Sequence, residues 1–476
     1  MPLDSEGVTT PSSLPPLGIS TCRFQRISNP HAVVEAAHSV GIRLFATFPG
    51  LDDGFSESVL GNWGASLDHP PAAYVFLGLL EGMLYRRALE REREGTPYAE
   101  LVRLHEGVAY CLHPSFLQEQ LRESRQRLGR IHIRGVLLQH PELFWQWAAS
   151  QGIPQEEAQH ELLRRLEQAF AFLEQECQQG GLQAYGVQLE HPLGNISIPE
   201  LCELATAVGG PQHHFRLLAA PLNLFEPKIA TEPLAHGLTL LEEAAAYGVE
   251  VIVYRPLNAR LHGRPVLLAE PPVEKPALVS VEHIRGQLRE FLHLETQLLR
   301  LLTEQPLDGV HREMVRESLT LSLFLQDHWH EFASYEDWLT LESGYLADRF
   351  RSLQLLVEPL VTTAALVECW SAYRERFQQA LADIGRLYAA RAYERARRLR
   401  EFLEESLQLR LPAVPFAQLA LALLQHTVGV RSILIASTSA KHVATFAAAE
   451  RLCLPPLERQ QWLRLREAPS VLQHGF

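Results

Sequence analysis

The hydrophobic positions of this chain of 476 residues alternate between short, nearly continuous apolar runs and longer stretches with helical spacing. Short apolar runs rich in β-branched residues are typical of buried parallel strands. Eight such runs predict strands at 18–22, 42–47, 73–79, 133–139, 184–189, 216–223, 249–255 and 432–437. Eight strands are the number that a closed (β/α)8 barrel requires, so the pattern predicts a TIM barrel in the α/β class.

Stretches with helical spacing separate the predicted strands. They predict helices at 31–39, 115–128, 155–178, 199–207, 238–247, 416–425 and 440–452. Two segments are too long for a barrel loop of about 2–6 residues. The charged segment at about 82–112 predicts a helical insertion after the third strand, and 260–412 predicts a separate bundle of four to six helices. We therefore expect strands one to seven in 1–259, an inserted α-helical domain in 260–412, and barrel completion with C-terminal helices in 413–476.

Composition and charge narrow the class of protein. Hydrophobic residues make up 46% of the chain, enough for a sizeable core, and the formal net charge is -13. An acidic chain is a poor partner for nucleic acid, and no apolar run is long enough to span a membrane. The six cysteines form no C-x-x-C motif, and the N-terminus lacks the pattern of a signal peptide. These features predict a cytoplasmic protein that binds neither nucleic acid nor membrane.

Five segments at the predicted strands carry a recognisable series of motifs. They read GIRLFATFPGLDDGFSE at 41–57, AYGVQ at 184–188, AAPLN at 219–223, VIVYRPL at 251–257 and GVRSILIAST at 429–438. In this order they resemble the motifs of the aldo-keto reductase superfamily. The segments LHPSFLQEQL at 112–121 and RPLNA at 255–259 are similar to a less studied branch of that superfamily.

The resemblance implies a barrel enzyme that transfers hydride between NADPH and a carbonyl compound through four catalytic side chains. The family's aspartate, tyrosine, lysine and histidine fall here on Ala46, Leu51, Leu80 and Gln139. The family's tyrosine donates a proton, and its acidity is tuned by the lysine and the carboxylate. None of the four residues found here can ionise, so the resemblance predicts a catalytically degenerate member.

The cofactor positions that the resemblance implies are also replaced. The serine and asparagine that hold the nicotinamide carboxamide fall on Gln188 and Leu189, and the glutamine falls on Ala219. The arginine that holds the adenosine phosphate falls on Thr438. A hydroxyl replaces a bidentate arginine poorly. We expect no cofactor, or NADP if there is one.

Two weak catalytic candidates stay open on residue chemistry alone. His140 follows the lost histidine position, but a shift of one residue along a strand turns a side chain to the other face. Asp52 pairs with Asp53 at the end of the second predicted strand, where Asp-Asp-Gly is also typical of a solvated turn. The chain has 21 histidines but no spaced metal motif such as H-E-x-x-H, so we expect no metal site.

The leading interpretation is therefore an oxidoreductase-like pseudoenzyme, a non-catalytic binding or regulatory protein. Its partner is expected to be another protein, bound through the helical insertion or the barrel mouth. The alternative is an NADP-dependent oxidoreductase that acts on a carbonyl or sugar substrate through a rearranged site. An enzyme with different chemistry on the same scaffold also stays open, because a fold does not fix a function.

Overall fold

Eight parallel strands close into a barrel in which each strand pairs with its neighbours in the chain. The computed structural model describes residues 14–472 except 23, 191–196, 236, 262–263, 272, 307–308, 333 and 438. The strands are β1 (Leu17–Ser20), β2 (Leu44–Thr47), β3 (Ala72–Leu77), β4 (His132–Gln139), β5 (Ala184–Gln188), β6 (Phe215–Pro221), β7 (Glu250–Tyr254) and β8 (Val430–Ala436). The predicted (β/α)8 fold is confirmed, since β1 pairs with both β2 and β8.

Ten helices alternate with the strands in the first part of the chain that the structure describes. They are α1 (Pro30–Ser39), α2 (Pro49–Asp52), α3 (Phe55–Gly64), α4 (Gly82–Arg93), α5 (Pro114–Leu128), α6 (Leu143–Ser150), α7 (Gln155–Gln178), α8 (Ile198–Gly209), α9 (Lys228–Thr231) and α10 (Leu240–Ala246). Capping boxes begin α8 at Ser197 and α10 at Thr239, where each hydroxyl accepts a backbone N–H and a glutamate reaches back.

The insertion predicted as helical at about 82–112 is only partly a helix. After α4 the chain forms the short strands Val102–His105 and Val108–Tyr110. Val108–Tyr110 is the central strand of a small sheet and pairs antiparallel with Val102–His105 on one side and with Leu79–Leu80 on the other. The turn between them uses Gly107 at φ 85°, a conformation that glycine adopts without strain. Strands of three or four residues are too short to show an alternating pattern, so the sequence reading missed this sheet.

A second compact unit, which we call the helical unit, comprises 258–416 together with the C-terminal segment from 467. Its helices are α11 (Val281–Thr303), α12 (Gly309–Ser318), α13 (Leu321–His328), α14 (Tyr335–Leu341), α15 (Ala347–Val357) and α16 (Ala364–Leu407). A π-helical turn, Glu342–Leu346, joins α14 to α15. The unit has its own core, in which Phe291, Trp338 and Tyr373 are fully buried.

The unit begins with an antiparallel hairpin, Asn258–Leu261 with Arg264–Leu267, in a stretch that the sequence suggested as a linker. Proline at 265 weakens a strand signal, because proline is confined to edges and strand starts. The last part of the chain gives α17 (Phe416–Gln425), α18 (Ala440–Ala447) and α19 (Arg459–Leu465). The following 3-10 turn, Ala468–Leu472, packs on α16. The prediction that all residues after 413 complete the barrel is therefore wrong for the segment from 467, which belongs to the helical unit.

All six cysteines are free. Among the described residues, no helix combines the length and the apolar character needed to cross a bilayer.

Candidate functional site

The apolar interior of the barrel contains two of the four positions at which the resembled family has catalytic residues. Ala46 on β2 is fully buried, and Leu51 on α2 packs against the same cluster. Phe48 and Phe76 stack there with their ring centroids 4.5 Å apart. Neither Ala46 nor Leu51 can ionise, whereas the resemblance predicts a carboxylate and a phenol at these positions.

The other two positions lie in different elements. Leu80 is fully buried in the small antiparallel sheet, where it pairs with Ala109. Gln139 ends β4, and its Oε1 lies 3.5 Å from the backbone nitrogen of Leu79, at the long limit of a hydrogen bond. The described structure therefore gathers no group at these four positions that could donate or take up a proton near neutral pH.

The predicted cofactor positions come together at one level of the sheet. Gln139 pairs in register with Gln188, and Gln188 pairs with Ala219. The side chains of Leu189 and Ala219 are buried and apolar, and the backbone N–H of Leu189 donates to the Ala219 carbonyl at 2.8 Å. Thr438 lies outside the described residues.

These residues fit a nicotinamide carboxamide poorly. Gln188 Oε1 is buried without a hydrogen-bond partner among the described residues, so one acceptor is available. The Leu189 carbonyl already accepts the Tyr254 hydroxyl at 2.6 Å, and Leu189 and Ala219 have no polar side-chain atoms. A carboxamide needs several donors and acceptors to be held in one orientation. Among the described cofactor positions only Gln188 has a polar side chain, so this part of the site offers a single amide group.

Asp52 and Asp53 serve as helix caps. The Asp52 carboxylate accepts the backbone N–H groups of Gly54 and Ser56 at 3.1 Å, at the start of α3. The Asp53 carboxylate accepts the N–H of Met83 at 2.8 Å, at the start of α4. Burial raises the pKa of Asp52, and its hydrogen bonds to Ser56 act in the opposite direction. Both carboxylates have structural partners, which accounts for them without a catalytic role.

Beside them, Glu57 is a fully buried carboxylate with a complete set of partners. Thr47 Oγ1 donates to Glu57 Oε1 at 2.9 Å, and Arg127 Nε donates to Oε2 at 2.8 Å. Burial raises the pKa of Glu57, while the Arg127 guanidinium acts to lower it. The pair joins α3 to α5 outside the barrel interior, so we assign it to stability.

Sequence reasoning missed a polar cluster, which we call the mouth cluster, at the carboxyl ends of β5, β6 and β7. Its centre is Arg255, which lies directly after β7 with φ 55°. The Arg255 guanidinium bonds Glu190 Oε1 at 2.5 Å and Glu226 Oε1 at 2.9 Å. Asn223 Nδ2 supports this pairing by donating to Glu226 Oε2 at 2.7 Å and to the Arg255 carbonyl at 3.2 Å.

A second polar group, next to the mouth cluster, follows β4. His140 has φ 44°, so it lies outside strand geometry, and the expectation based on strand alternation does not apply to it. Its Nδ1 is 3.4 Å from Glu142 Oε1 but makes no hydrogen bond among the described residues. Glu142 Oε1 instead accepts the backbone N–H of Glu190 at 2.5 Å, and Oε2 is buried without a partner in the described part of the chain. A catalytic role for His140 stays a prediction.

Tyr254, at the end of β7, is the tyrosine of the mouth cluster. Its hydroxyl donates to the Leu189 carbonyl and lies 3.0 Å from Glu190 Oε2. Burial raises the pKa of Tyr254 far above the usual value, and Glu190 raises it further. A tyrosine that acts as a general acid needs a pKa moved toward the working pH. The pKa of Tyr254 is shifted in the opposite direction.

The part of the chain that the structure describes contains no group of three His, Cys, Asp or Glu side chains placed to hold a metal ion. The expectation of no metal site stays a prediction.

No protein-family model and no curated protein matches this chain. Solved structures of aldo-keto reductases do match it. A glycerol dehydrogenase from Gluconobacter oxydans is 14% identical with a TM-score of 0.47, over 99% of this chain and 95% of that one. An aldo-keto reductase from Bacillus halodurans, in its holo form, is 13% identical with a TM-score of 0.45, over 95% and 92%. The superfamily is the one that the motifs resemble, but likeness at this level identifies neither activity nor cofactor.

Proposed function

We propose that this chain is an aldo-keto-reductase-like barrel that acts by binding and does not transfer hydride. The observation that carries the proposal is the apolar interior of the barrel. Ala46 and Leu51 lie in it beside the Phe48–Phe76 stack, where the family's reaction would need ionisable groups. General acid–base groups typically contribute about 10²–10⁴ in rate. The cofactor positions add support, because Gln188 is the only one of the described positions with a polar side chain.

The mouth cluster does not favour the alternative, an oxidoreductase with a rearranged site. Arg255 is held by the carboxylates of Glu190 and Glu226, and the pKa of Tyr254 is raised. A rearranged site would need an acid poised near neutral pH together with a positioned carbonyl oxygen. The partner that we propose is another protein, recognised by the mouth cluster or by the helical unit.

The test is turnover by the full chain with NADPH and with NADH, against a panel of aldehydes, ketones and sugars. We expect rates no higher than those without protein. The matched variant carries Ala46→Asp, Leu51→Tyr, Leu80→Lys and Gln139→His, which restores the family's side chains. It should also stay at background, because the cofactor contacts remain absent. Turnover by the parent would overturn the proposal, and turnover by the variant alone would show that cofactor and substrate are still positioned.

A further inference from the structure

A cavity of about 610 Å³ lies wholly within the helical unit, formed by α11, α16 and the end of α13. Its volume is in the range of about 300–1,000 Å³ that is typical of sites for small ligands. Arg285 and Arg289 reach it from α11, Arg391 reaches it from α16, and Trp329 and His330 line it after α13. We call it the arginine cavity.

Positive charge is concentrated in the arginine cavity beyond what the protein itself neutralises. Three guanidinium groups and one carboxylate, Glu282, line it. Glu282 Oε1 pairs with Arg285 Nη1 at 3.0 Å, and neither Arg289 nor Arg391 has an ion pair among the described residues. The chain as a whole is acidic, with a formal net charge of -13, so this local surplus is opposite to the overall charge.

The helical unit places these arginines near one another. Arg285 and Arg289 are four residues apart on α11, which puts two like charges on one helix face. Arg391 is oriented by the ring of Tyr388, whose centroid is 5.6 Å from the guanidinium carbon. The Tyr388 hydroxyl donates to the Trp329 carbonyl at 2.9 Å, so the floor of the cavity is fixed by buried side chains. The fixed floor orders Arg391 before a ligand binds, which lowers the entropy cost of binding for that cation.

We infer that the arginine cavity binds a small organic molecule with several negative charges, carried by phosphate or carboxylate groups. Guanidinium groups recognise both through paired N–H···O hydrogen bonds. Gln326 lines the cavity with one amide group and uses its Nε2 to bond the Leu288 carbonyl at 3.1 Å, which leaves its oxygen free to accept from a ligand hydroxyl. This inference is independent of the proposed function, because every residue in it belongs to the helical unit.

Isothermal titration calorimetry of the full chain with ATP, citrate and uncharged adenosine tests the inference. We expect saturable binding of ATP or citrate and none of adenosine, and the anion that binds identifies phosphate or carboxylate as the recognised group. Arg289→Ala with Arg391→Ala should raise the dissociation constant about tenfold or more, since each removes a charged hydrogen-bond donor. The matched control is Arg351→Ala, which removes an exposed arginine paired with Asp348 elsewhere in the helical unit.

Absence of saturable binding by both anions would overturn the inference, as would equal weakening by the control. If the double alanine variant does not fold, Arg289→Gln with Arg391→Gln keeps the side-chain stems and serves in its place. Hydrogen–deuterium exchange on the parent gives an independent readout. The bound anion should slow exchange in α11 and in the part of α16 around Arg391, and protection confined to the barrel would contradict the inference.

Discussion

At the residue scale, the buried charges of the barrel unit hold its elements together. Arg127 is the cation that compensates Glu57, a carboxylate with no exposed surface. Removing one partner of a buried ion pair leaves the other uncompensated, which costs about 3–5 kcal/mol. We expect Arg127→Ala to lower the free energy of unfolding of the barrel by about that amount at pH 7, measured by urea denaturation. Arg351→Ala, on an exposed pair, should cost about 0–1 kcal/mol, and equal losses would contradict the assignment.

The pH dependence of that loss follows from the direction of the Glu57 pKa shift. Burial raises the pKa of folded Glu57 above the ordinary value of 4.5. Stability from a carboxyl with a raised pKa is present below the unfolded value and is lost as the pH rises through the folded value. Without Arg127 the pKa rises further. The loss in Arg127→Ala should therefore be smaller at pH 5 than at pH 7, and a loss that is independent of pH would contradict this account.

The buried position of Ala46 supports a second prediction at this scale. Ala46→Asp places a carboxylate in the apolar interior beside Phe48 and Phe76, with no cation within the cluster to pair it. We expect a loss of several kcal/mol at pH 7, in the range of about 2–7 kcal/mol for burying an unpartnered polar group. Ala207→Asp, at an exposed position on α8, is the matched control for thermal melting. A soluble Ala46→Asp variant that melts like the parent would show a polar or hydrated interior.

At the element scale, the helical unit should be separable from the barrel. It has its own hydrophobic core, built around Trp338 and Tyr373, and its C-terminal 3-10 turn packs on α16. Replacing 258–415 with a short Gly/Ser loop and ending the chain at Arg466 should leave a barrel that melts cooperatively. Retaining the segment after 466 in the same variant should reduce solubility, because its packing partner is gone. A product without a cooperative melting transition from the first design would show that the barrel does not fold independently of the helical unit.

The elements also show how much of the fold and of the site could be predicted from the sequence alone. All eight barrel strands could be predicted because buried parallel strands are continuous apolar runs. The strands Val102–His105 and Val108–Tyr110 could not, since they are too short for a periodic signal. The mouth cluster left a usable signal. Glu190 directly follows one predicted strand, Asn223 and Arg255 end the next two, and strand ends meet at one face of a barrel. The pairing of these side chains depends on backbone conformation after the strands, such as φ 55° at Arg255, which no pattern encodes.

At the scale of the whole molecule, the barrel interior and the cavity of the helical unit differ in polarity. The barrel interior is apolar at Ala46 and Leu51, and the helical unit concentrates three arginines around one cavity. NADPH is itself a multivalent anion, so a test of cofactor binding must distinguish the two units. The pair Arg289→Ala and Arg391→Ala makes this distinction, because it should weaken binding at the arginine cavity about tenfold or more and leave binding at the barrel unchanged.

The most direct test of the central claim is calorimetric titration of NADPH into that arginine variant. The account predicts no saturable binding in the low micromolar range, because several polar contacts, each worth about 1–3 kcal/mol, are missing at Leu189 and Ala219. A low-micromolar dissociation constant, weakened when Gln188→Ala is added, would place the cofactor in the barrel. That result would contradict the interpretation of this chain as a barrel that binds without hydride transfer.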